Sequence, residues 1–122
     1  MKKSEFAKAI ENMLLDPNNP MTLDARIEVI QKTTLKVQKD SDFDQSNKGN
    51  AWSDQELKVI LQHAPTAENC LTLAKAFKRG YGSIEQIYRW AATSDQDVAA
   101  SRPDHAFVAQ IKRVAKQIGW RA

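Results

Sequence analysis

Residues 51–93 read AWSDQELKVILQHAPTAENCLTLAKAFKRGYGSIEQIYRWAAT, and three short helices fit into this stretch. The first is predicted to begin at Ser53, because Ser53 and Glu56 have the spacing of a capping box, in which each side chain accepts a hydrogen bond from the other residue's backbone amide. Pro65 is predicted to end this helix. Its apolar face is formed at helical spacing by Leu57, Ile60, Leu61 and Ala64.

The second helix is predicted to begin after Thr66, a favourable N-cap residue. Gly80 is predicted to follow its end, because glycine adopts the left-handed conformation in which many helices terminate. Tyr81 and Gly82 are then expected to complete a tight turn. The apolar face of this helix consists of Cys70, Leu73, Ala74 and Phe77.

The third helix is predicted to start at Ser83, with Gln86 three residues later in a second capping-box pattern. At helical spacing, Gln86, Arg89 and Thr93 point away from the apolar face and give the helix a polar outer surface that carries a cation. Its inner face is formed by Ile84, Ile87, Tyr88 and Ala91.

Two helices, a turn that contains glycine and a further helix form the plan of a helix-turn-helix module. Three groups of residues also resemble the Myb/SANT-type tri-helical domain: Trp52-Ser53 followed by Glu56, the run from Leu73-Ala74 through Phe77 to Arg79, and Arg89-Trp90. The resemblance covers residues 51–93, about a third of the chain. The sequence differs from the family in lacking its central tryptophan, in the extra residues of the Gly80–Gly82 turn, and in Glu85 on the third helix.

The helix-turn-helix plan implies double-stranded DNA as the partner, with the third helix in the major groove. Gln86 would read adenine, and Arg89 would read guanine or bind phosphate. Basic residues before and after this helix would bind phosphates without reading sequence. The chain is therefore predicted to be a small transcriptional or phage-type regulator. Its predicted DNA-binding residues are Lys78, Arg79, Tyr81, Ser83, Gln86, Arg89, Thr93, Lys112, Arg113 and Lys116.

The alternative is a protein-interaction adaptor or small inhibitor, because SANT-like domains resemble Myb repeats yet often bind proteins. Ser83 and Gln86 have a second explanation in helix capping, and Arg89 can pair with Glu85 on the same helix. The surface charge discriminates between the two functions. A continuous basic strip favours DNA, whereas a mixed face with an exposed Trp90 or Trp120 favours a protein partner. The strip would join Lys78, Arg79, Arg89 and Lys112.

The rest of the chain is divided by composition into three further parts. Residues 1–39 are predicted to form a helical pair, broken at residues 17–20, that packs on the core or self-associates. Residues 40–50 read as a polar linker, and their three alternating aspartates lack the glycine and glutamate of a calcium loop. Residues 94–102 are predicted to be a turn with a short or irregular segment. Residues 104–122 are predicted to be a basic amphipathic helix capped by Asp104.

The predicted helices together indicate an all-α single domain of five to six helices, spanning residues 1–122 with the helix-turn-helix at its centre. The 122 residues carry 42% hydrophobic and 27% charged residues, with neither a long apolar run nor a secretory signal pattern, so a cytoplasmic protein without membrane contact is expected. Residues 51–122 carry the whole net charge of +3, which suits a polyanion.

Catalytic chemistry has few candidate residues in this sequence. His63 and His105 are far apart, Cys70 is the single cysteine and lies on an apolar helix face, and no glycine-rich phosphate loop follows a predicted strand. The sequence therefore predicts no enzyme, no catalytic or metal-binding residues and no cofactor.

Overall fold

A computed structural model of the protein describes residues 1–120. They contain seven α-helices and no strand, which confirms the all-helical prediction and adds one helix to the six that were expected at most. The additional helix, α6, lies where the sequence predicted a turn and a short or irregular segment, and Ser94 Oγ caps it by accepting from Asp97 N at 3.1 Å. The helices are α1 (Lys3–Leu15), α2 (Leu23–Asp40), α3 (Asp54–Leu61), α4 (Ala67–Phe77), α5 (Tyr81–Ala92), α6 (Asp95–Ser101) and α7 (Ala106–Ile118).

The chain divides into two compact units, where the sequence predicted one domain. Met1–Asp40 contains α1 and α2 and is called the helical hairpin below. Ser41–Ala122 contains α3 to α7 and is called the five-helix unit. Residues 121 and 122, the end of the predicted C-terminal segment, lie outside the described residues.

The helical hairpin has no buried residue in either helix. Its connection is held by polar groups instead. Thr22 Oγ1 caps α2 by accepting from Ala25 N at 3.1 Å. The Arg26 guanidinium donates to four backbone carbonyls at the end of α1 and in the loop, at 2.6–3.3 Å. These carbonyls belong to Met13, Leu14, Asn19 and Met21.

The five-helix unit encloses a continuous apolar core. Helix α5 lies at its centre and packs against α3, α4 and α7. The predicted inner face of α5 is confirmed, because all four of its residues are buried. The predicted apolar face of α3 is buried except at Ala64, which is exposed because the helix ends three residues earlier, at Leu61. The core side chains are Leu57, Ile60, Leu61, Cys70, Leu73, Ala74, Ile84, Ile87, Tyr88, Ala91, Ile111, Val114 and Ala115.

Two predicted helix starts are confirmed by their hydrogen bonds. Ser53 Oγ accepts from Glu56 N at 3.1 Å, and Glu56 Oε1 accepts from Ser53 N at 2.9 Å, so the capping box is formed in both directions. Thr66 Oγ1 accepts from Asn69 N at 3.1 Å. In α7, however, His105 rather than Asp104 is the N-cap, and its Nδ1 accepts from Val108 N at 3.4 Å.

The connection between α4 and α5 differs from the prediction. Helix α4 ends at Phe77, and Lys78 takes the left-handed conformation (φ 57°) that the sequence assigned to glycine. Gly80 is the N-cap of α5, so Tyr81 and Gly82 are helical and Ser83 lies in the first turn, where its amide donates to Gly80 O at 3.1 Å. The predicted capping box of Ser83 with Gln86 is therefore wrong. Only three residues separate the two helices.

The predicted linker belongs to the five-helix unit from residue 41 onwards. Phe43 is half-buried and packs against the core. Asn47 binds the end of α4, because its backbone amide donates to Lys78 O at 3.0 Å and its side-chain amide donates to Phe77 O at 3.0 Å. These bonds satisfy carbonyls that a helix end leaves without intrahelical partners. A polar composition here indicates a helix-capping segment rather than a spacer.

Candidate functional site

Arg79, predicted to bind a DNA phosphate, is instead buried in the five-helix unit, with 4% of its surface exposed. Its guanidinium stacks on Trp52, with the Arg79 Cζ atom 3.7 Å from the ring centroid, and donates to the carbonyls of Asn50 and Ala51. Glu56 lies 3.8 Å from Arg79 Nη2. These contacts place the charge of Arg79 inside the fold, where a DNA phosphate could reach it only if the side chain left its present partners.

Lys112 and Lys116 of α7 share one carboxylate of α6. Lys112 Nζ lies 3.5 Å from Asp95 Oδ1, and Lys116 Nζ lies 2.9 Å from Asp95 Oδ2. Lys112 Nζ also donates to Thr93 O at 2.6 Å and to Ala91 O at 3.2 Å, so it caps the C-terminus of α5. The hydrogen bond from Lys116, followed by the attraction of both lysines, lowers the pKa of Asp95. Lys112, predicted to contact a DNA phosphate, thus has its ammonium group bound within the protein.

Arg113 of α7 pairs with the first residue of α3. Its guanidinium donates to both carboxylate oxygens of Asp54, at 2.7 and 3.0 Å. The Gln110 side chain also donates to Asp54 Oδ1, at 3.0 Å, and to Trp52 O, at 2.9 Å. These hydrogen bonds, that from Arg113 first, lower the pKa of Asp54 to about 2. Arg113 therefore joins α7 to the start of α3.

Lys78 and Thr93 flank α5, the helix that was predicted to enter the major groove. Lys78 is exposed, with its Nζ 3.8 Å from Asp44 Oδ2. Thr93 is the C-cap of α5, and its hydroxyl donates to Arg89 O at 2.7 Å.

Of the six predicted DNA-binding cations, five thus lie within 4 Å of a carboxylate. Arg89 is the exception within residues 1–120. The basic strip that would favour DNA is interrupted at Arg79 and Lys112.

The outer face of α5 is mixed in charge. Glu85, Gln86 and Arg89 are all exposed on it. Beside it lies a groove of about 450 Å³ between the start of α4 and α5. Its walls combine aromatic rings and small apolar residues with one carboxylate and one guanidinium. They are Pro65, Ala67, Cys70, Tyr81, Glu85, Tyr88, Arg89, Ala92 and Trp120.

Buried polar groups fix the floor of this groove. The Tyr88 hydroxyl donates to Ile60 O at 2.6 Å and lies 3.3 Å from His63 O, so it joins α5 to α3. Burial raises the pKa of Tyr88 to about 12 and also raises the pKa of Tyr81, so both phenols are neutral around pH 7. The groove therefore presents aromatic surface, with charge only where Glu85 and Arg89 line it.

Ser83 lies in a different groove from Arg89. It lines a second depression, of about 430 Å³, together with Trp52, Arg79, Phe107 and Gln110. The structure thus separates several of the predicted site residues: Tyr81 and Arg89 line the first groove, Arg79 and Ser83 line the second, and Lys112 and Lys116 form the α6–α7 ion pairs. Gln86 is exposed on α5 and lines neither groove.

Several residues of these places were not predicted. Asp54 and Asp95 lie 59 and 21 positions from Arg113 and Lys116, so no local pattern in the sequence connects them. Trp120 packs against the core and lines the first groove. Nothing in the sequence indicated that Pro65 would share that groove.

Residues 1–120 hold no group of three or more histidine, cysteine, aspartate or glutamate side chains placed to bind a metal ion. Every helix in this part of the chain is too short or too polar to span a bilayer.

Comparison with known proteins gives two matches. Residues 46–122 match the family described as "Uncharacterised protein PM1205 C-terminal domain". The Pasteurella multocida (strain Pm70) protein named "Uncharacterized protein PM1205" is 42% identical over 124 residues, which cover 99% of each chain. No solved structure matches the chain. The family match falls within the five-helix unit, whereas the match to the relative also includes the helical hairpin.

Proposed function

The chain belongs to the PM1205 C-terminal domain family, and we propose that its five-helix unit is a protein-interaction module rather than an enzyme. The partner segment would lie in the groove beside α5. One observation supports this proposal above the others: five of the six cations expected to bind DNA, all except Arg89, lie within 4 Å of a carboxylate, and two of the five, Arg79 and Lys112, also donate to backbone carbonyls of the fold.

The charge of the α5 surface argues against a polyanion as the preferred partner. Phosphate binding depends on lysine and arginine side chains that replace counterions along the nucleic acid. Here Glu85 stands exposed on the same helix as Arg89, four residues before it. A DNA backbone on this face would approach a carboxylate together with the guanidinium. A protein partner with charges of both signs is a better match.

The groove has the composition of a protein interface. Tyr81, Tyr88 and Trp120 contribute aromatic surface, and Arg89 contributes a guanidinium, the residue types that are enriched among interface hot spots. We infer a partner segment that inserts an apolar side chain between these rings and presents a carboxylate to Arg89. Such a carboxylate could form two parallel hydrogen bonds with the guanidinium.

Site-specific photo-crosslinking in the native cell tests this proposal. A photoreactive residue in place of Gln86, exposed on α5 beside the groove, should crosslink to a protein. The same residue in place of Gln55, exposed on α3, is the matched control and should not give that product. The identified partner should then bind Arg89→Ala about tenfold more weakly than wild type, because a hot-spot arginine contributes on the order of 1–2 kcal/mol.

The control for charge is Arg102→Ala, which removes an exposed cation after α6 and should leave the affinity unchanged. Equal crosslinking at positions 55 and 86 would contradict the proposed surface. So would a partner whose affinity does not respond to Arg89→Ala.

DNA binding by a Myb/SANT-like helix-turn-helix is the second candidate function. The observation that favours it is the connection between α4 and α5, which is three residues long and contains Gly80 as a helix-turn-helix does. Gln86 and Arg89 are exposed on the second of these helices. In this case the protein would be a small transcriptional regulator.

Binding of random-sequence duplex DNA at two salt concentrations separates the two functions. A steep loss of affinity with salt would favour DNA, and Arg89→Ala should then weaken binding to a preferred site by roughly 1–3 kcal/mol. We expect instead little binding even at low salt.

A further inference from the structure

We propose that the helical hairpin pairs with the hairpin of a second copy of this chain, so that α1 and α2 of the two copies form a four-helix bundle. The proposal concerns Met1–Asp40 alone and does not depend on what the groove beside α5 binds. It rests on the apolar surface and the charge of the hairpin.

The hairpin exposes the surface that a folded domain normally encloses. None of its helical residues is buried. Of the ten large hydrophobic side chains that are exposed among the described residues, nine belong to the hairpin and only Val59 belongs to the five-helix unit. Two helices cannot offset the entropy of ordering their chain without burying apolar surface. This surface therefore requires a cover.

A continuous groove runs between α1 and α2 on the exposed side. Its volume is about 470 Å³. Six of its nine lining residues are apolar, and the other three are two threonines and a glutamine, so no charged side chain lines the groove. The apolar lining residues are Phe6, Ile10, Met13, Val29, Ile30 and Val37.

A row of side chains along α2 extends this apolar face. Its positions alternate in spacing between four and three residues, which keeps the side chains on one side of the helix. The row consists of Leu23, Ile27, Ile30, Thr34 and Val37. Leu23, Ile27 and Val37 are exposed to 51%, 37% and 62%. Spacing of this kind is the pattern by which helices pack side by side in bundles.

The exposed apolar surface and the charge of this face fit a second copy. Phe6, Met13 and Val37, which line the groove, are each more than half exposed, as expected for a face that another copy of the chain covers. Residues 1–40 carry seven lysines and arginines against six aspartates and glutamates, so two hairpins meet without strong repulsion. An uncharged groove offers nothing to a nucleic acid or a highly charged peptide.

The apolar face is also complementary to itself. A two-fold axis places the same patch on both sides of an interface, so a stripe of Leu, Ile and Val meets an identical stripe. Each groove would then receive the exposed side chains of the other copy.

The mass of the full-length protein in solution, measured by light scattering over a concentration series, tests the proposal. Wild type should approach twice the 13.8 kDa of one chain. The double variant Phe6→Glu/Val37→Glu should stay at one chain mass, because it places two charges in the groove. Both side chains are more than half exposed in the single chain, so the variant should keep its fold.

Two single variants are the matched controls. Leu15→Glu changes an exposed apolar residue of α1 that does not line the groove, and Val59→Glu does the same in the five-helix unit. Both should remain dimeric. A wild type that stays at one chain mass throughout the series would overturn the proposal, and so would a double variant that still dimerises.

Hydrogen exchange of the wild type decides the matter independently of any variant that fails to fold. Amides of α1 and α2 should become more protected as the concentration rises, whereas those of α3 to α7 should not change. Concentration-dependent protection confined to α3–α7 would place the self-association elsewhere and refute the hairpin interface.

Discussion

Each of the two units contains an arginine that donates hydrogen bonds to main-chain carbonyls, but only one of these arginines lies beside a buried core. Arg26 binds four carbonyls around the α1–α2 connection, whereas Arg79 binds two carbonyls before α3 and stacks on Trp52. The arginine of the five-helix unit stands beside a closed core. That of the hairpin stands beside none, since no hairpin residue is buried. A polar clamp can fix a connection, but it does not replace apolar burial.

The largest predicted effect is on the free energy of unfolding, and it concerns the core that the five-helix unit has and the hairpin lacks. Ile87→Ala empties part of the core around α5, where the isoleucine is fully buried, and should reduce the free energy of unfolding of the five-helix unit by about 2–5 kcal/mol. Ile27→Ala removes a side chain that is 37% exposed and should leave that unfolding transition unchanged. Urea unfolding, monitored by the fluorescence of Trp52, Trp90 and Trp120, measures both. Equal losses in the two variants would mean that the hairpin and the five-helix unit unfold as one.

The next effect concerns the two arginines. Arg79→Ala should reduce the stability of the five-helix unit by about 2–4 kcal/mol, because it leaves the part-buried carbonyls of Asn50 and Ala51 without these donors and removes the stack on Trp52. Arg79→Lys should restore little, since an ammonium cannot reproduce the planar contact and both hydrogen bonds. Arg26→Ala, the matched change, should leave this transition where it is in wild type. Chemical unfolding of the three variants gives the comparison.

A small loss in Arg79→Ala, combined with weaker DNA binding, would contradict the structural role of this arginine. It would also restore Arg79 as a phosphate contact. Full rescue by lysine would show that the charge alone matters, rather than the shape of the guanidinium.

The smallest effect concerns pH. The pKa of Asp54 is lowered to about 2 by its hydrogen bonds, whereas in the unfolded chain it lies near 3.8. The stabilisation by Asp54 is therefore complete above pH 4 and is lost as the pH falls towards 2. Asp54→Asn should flatten the decline of the unfolding midpoint across this window. The hairpin offers the control Glu28→Gln, since the hydrogen bond from Lys32 also lowers the pKa of Glu28, and this change should not affect the five-helix unit.

If the unfolding midpoint of Asp54→Asn declined at low pH as steeply as that of wild type, the pair with Arg113 would not contribute to stability. Asp95, whose pKa is also lowered, would then be the next carboxylate to replace.

Local patterns in the sequence predicted most of the helices. The capping residues Ser53 and Thr66 form the expected bonds, because a cap depends on residues three positions apart. The inner face of α5 was also predictable, since helical spacing alone determines which side chains share a side. These contacts are short in sequence and need no knowledge of the rest of the fold.

The connection between α4 and α5 could not be predicted in the same way. Glycine preference suggested Gly80 as the residue after α4, yet Lys78 takes that conformation. The reason lies outside the local sequence: Asn47, about thirty positions earlier, binds the last carbonyls of α4. A tertiary contact has overridden a local preference, and it moved the start of α5 from Ser83 to Tyr81.

The candidate site was predictable only in part, for the same physical reason. Sequence position indicated that Gln86 and Arg89 would be exposed on α5. It could not show that Arg79 turns inward, because the carbonyls and the ring that it contacts lie more than twenty positions away. Net charge is likewise a poor guide here, since it does not reveal which cations are neutralised within the fold.

The short segment before α3 also decides where this module can be cut. Phe43 packs against the core, and Gln45 lies against Gly80, where an added Cβ atom would come within 3.1 Å of its Oε1. The family match begins only at residue 46. A gene fragment trimmed to that match would discard both contacts, although it would keep Asn47 at the end of α4. Recombination or truncation that respects the structure would start at Ser41, five residues earlier.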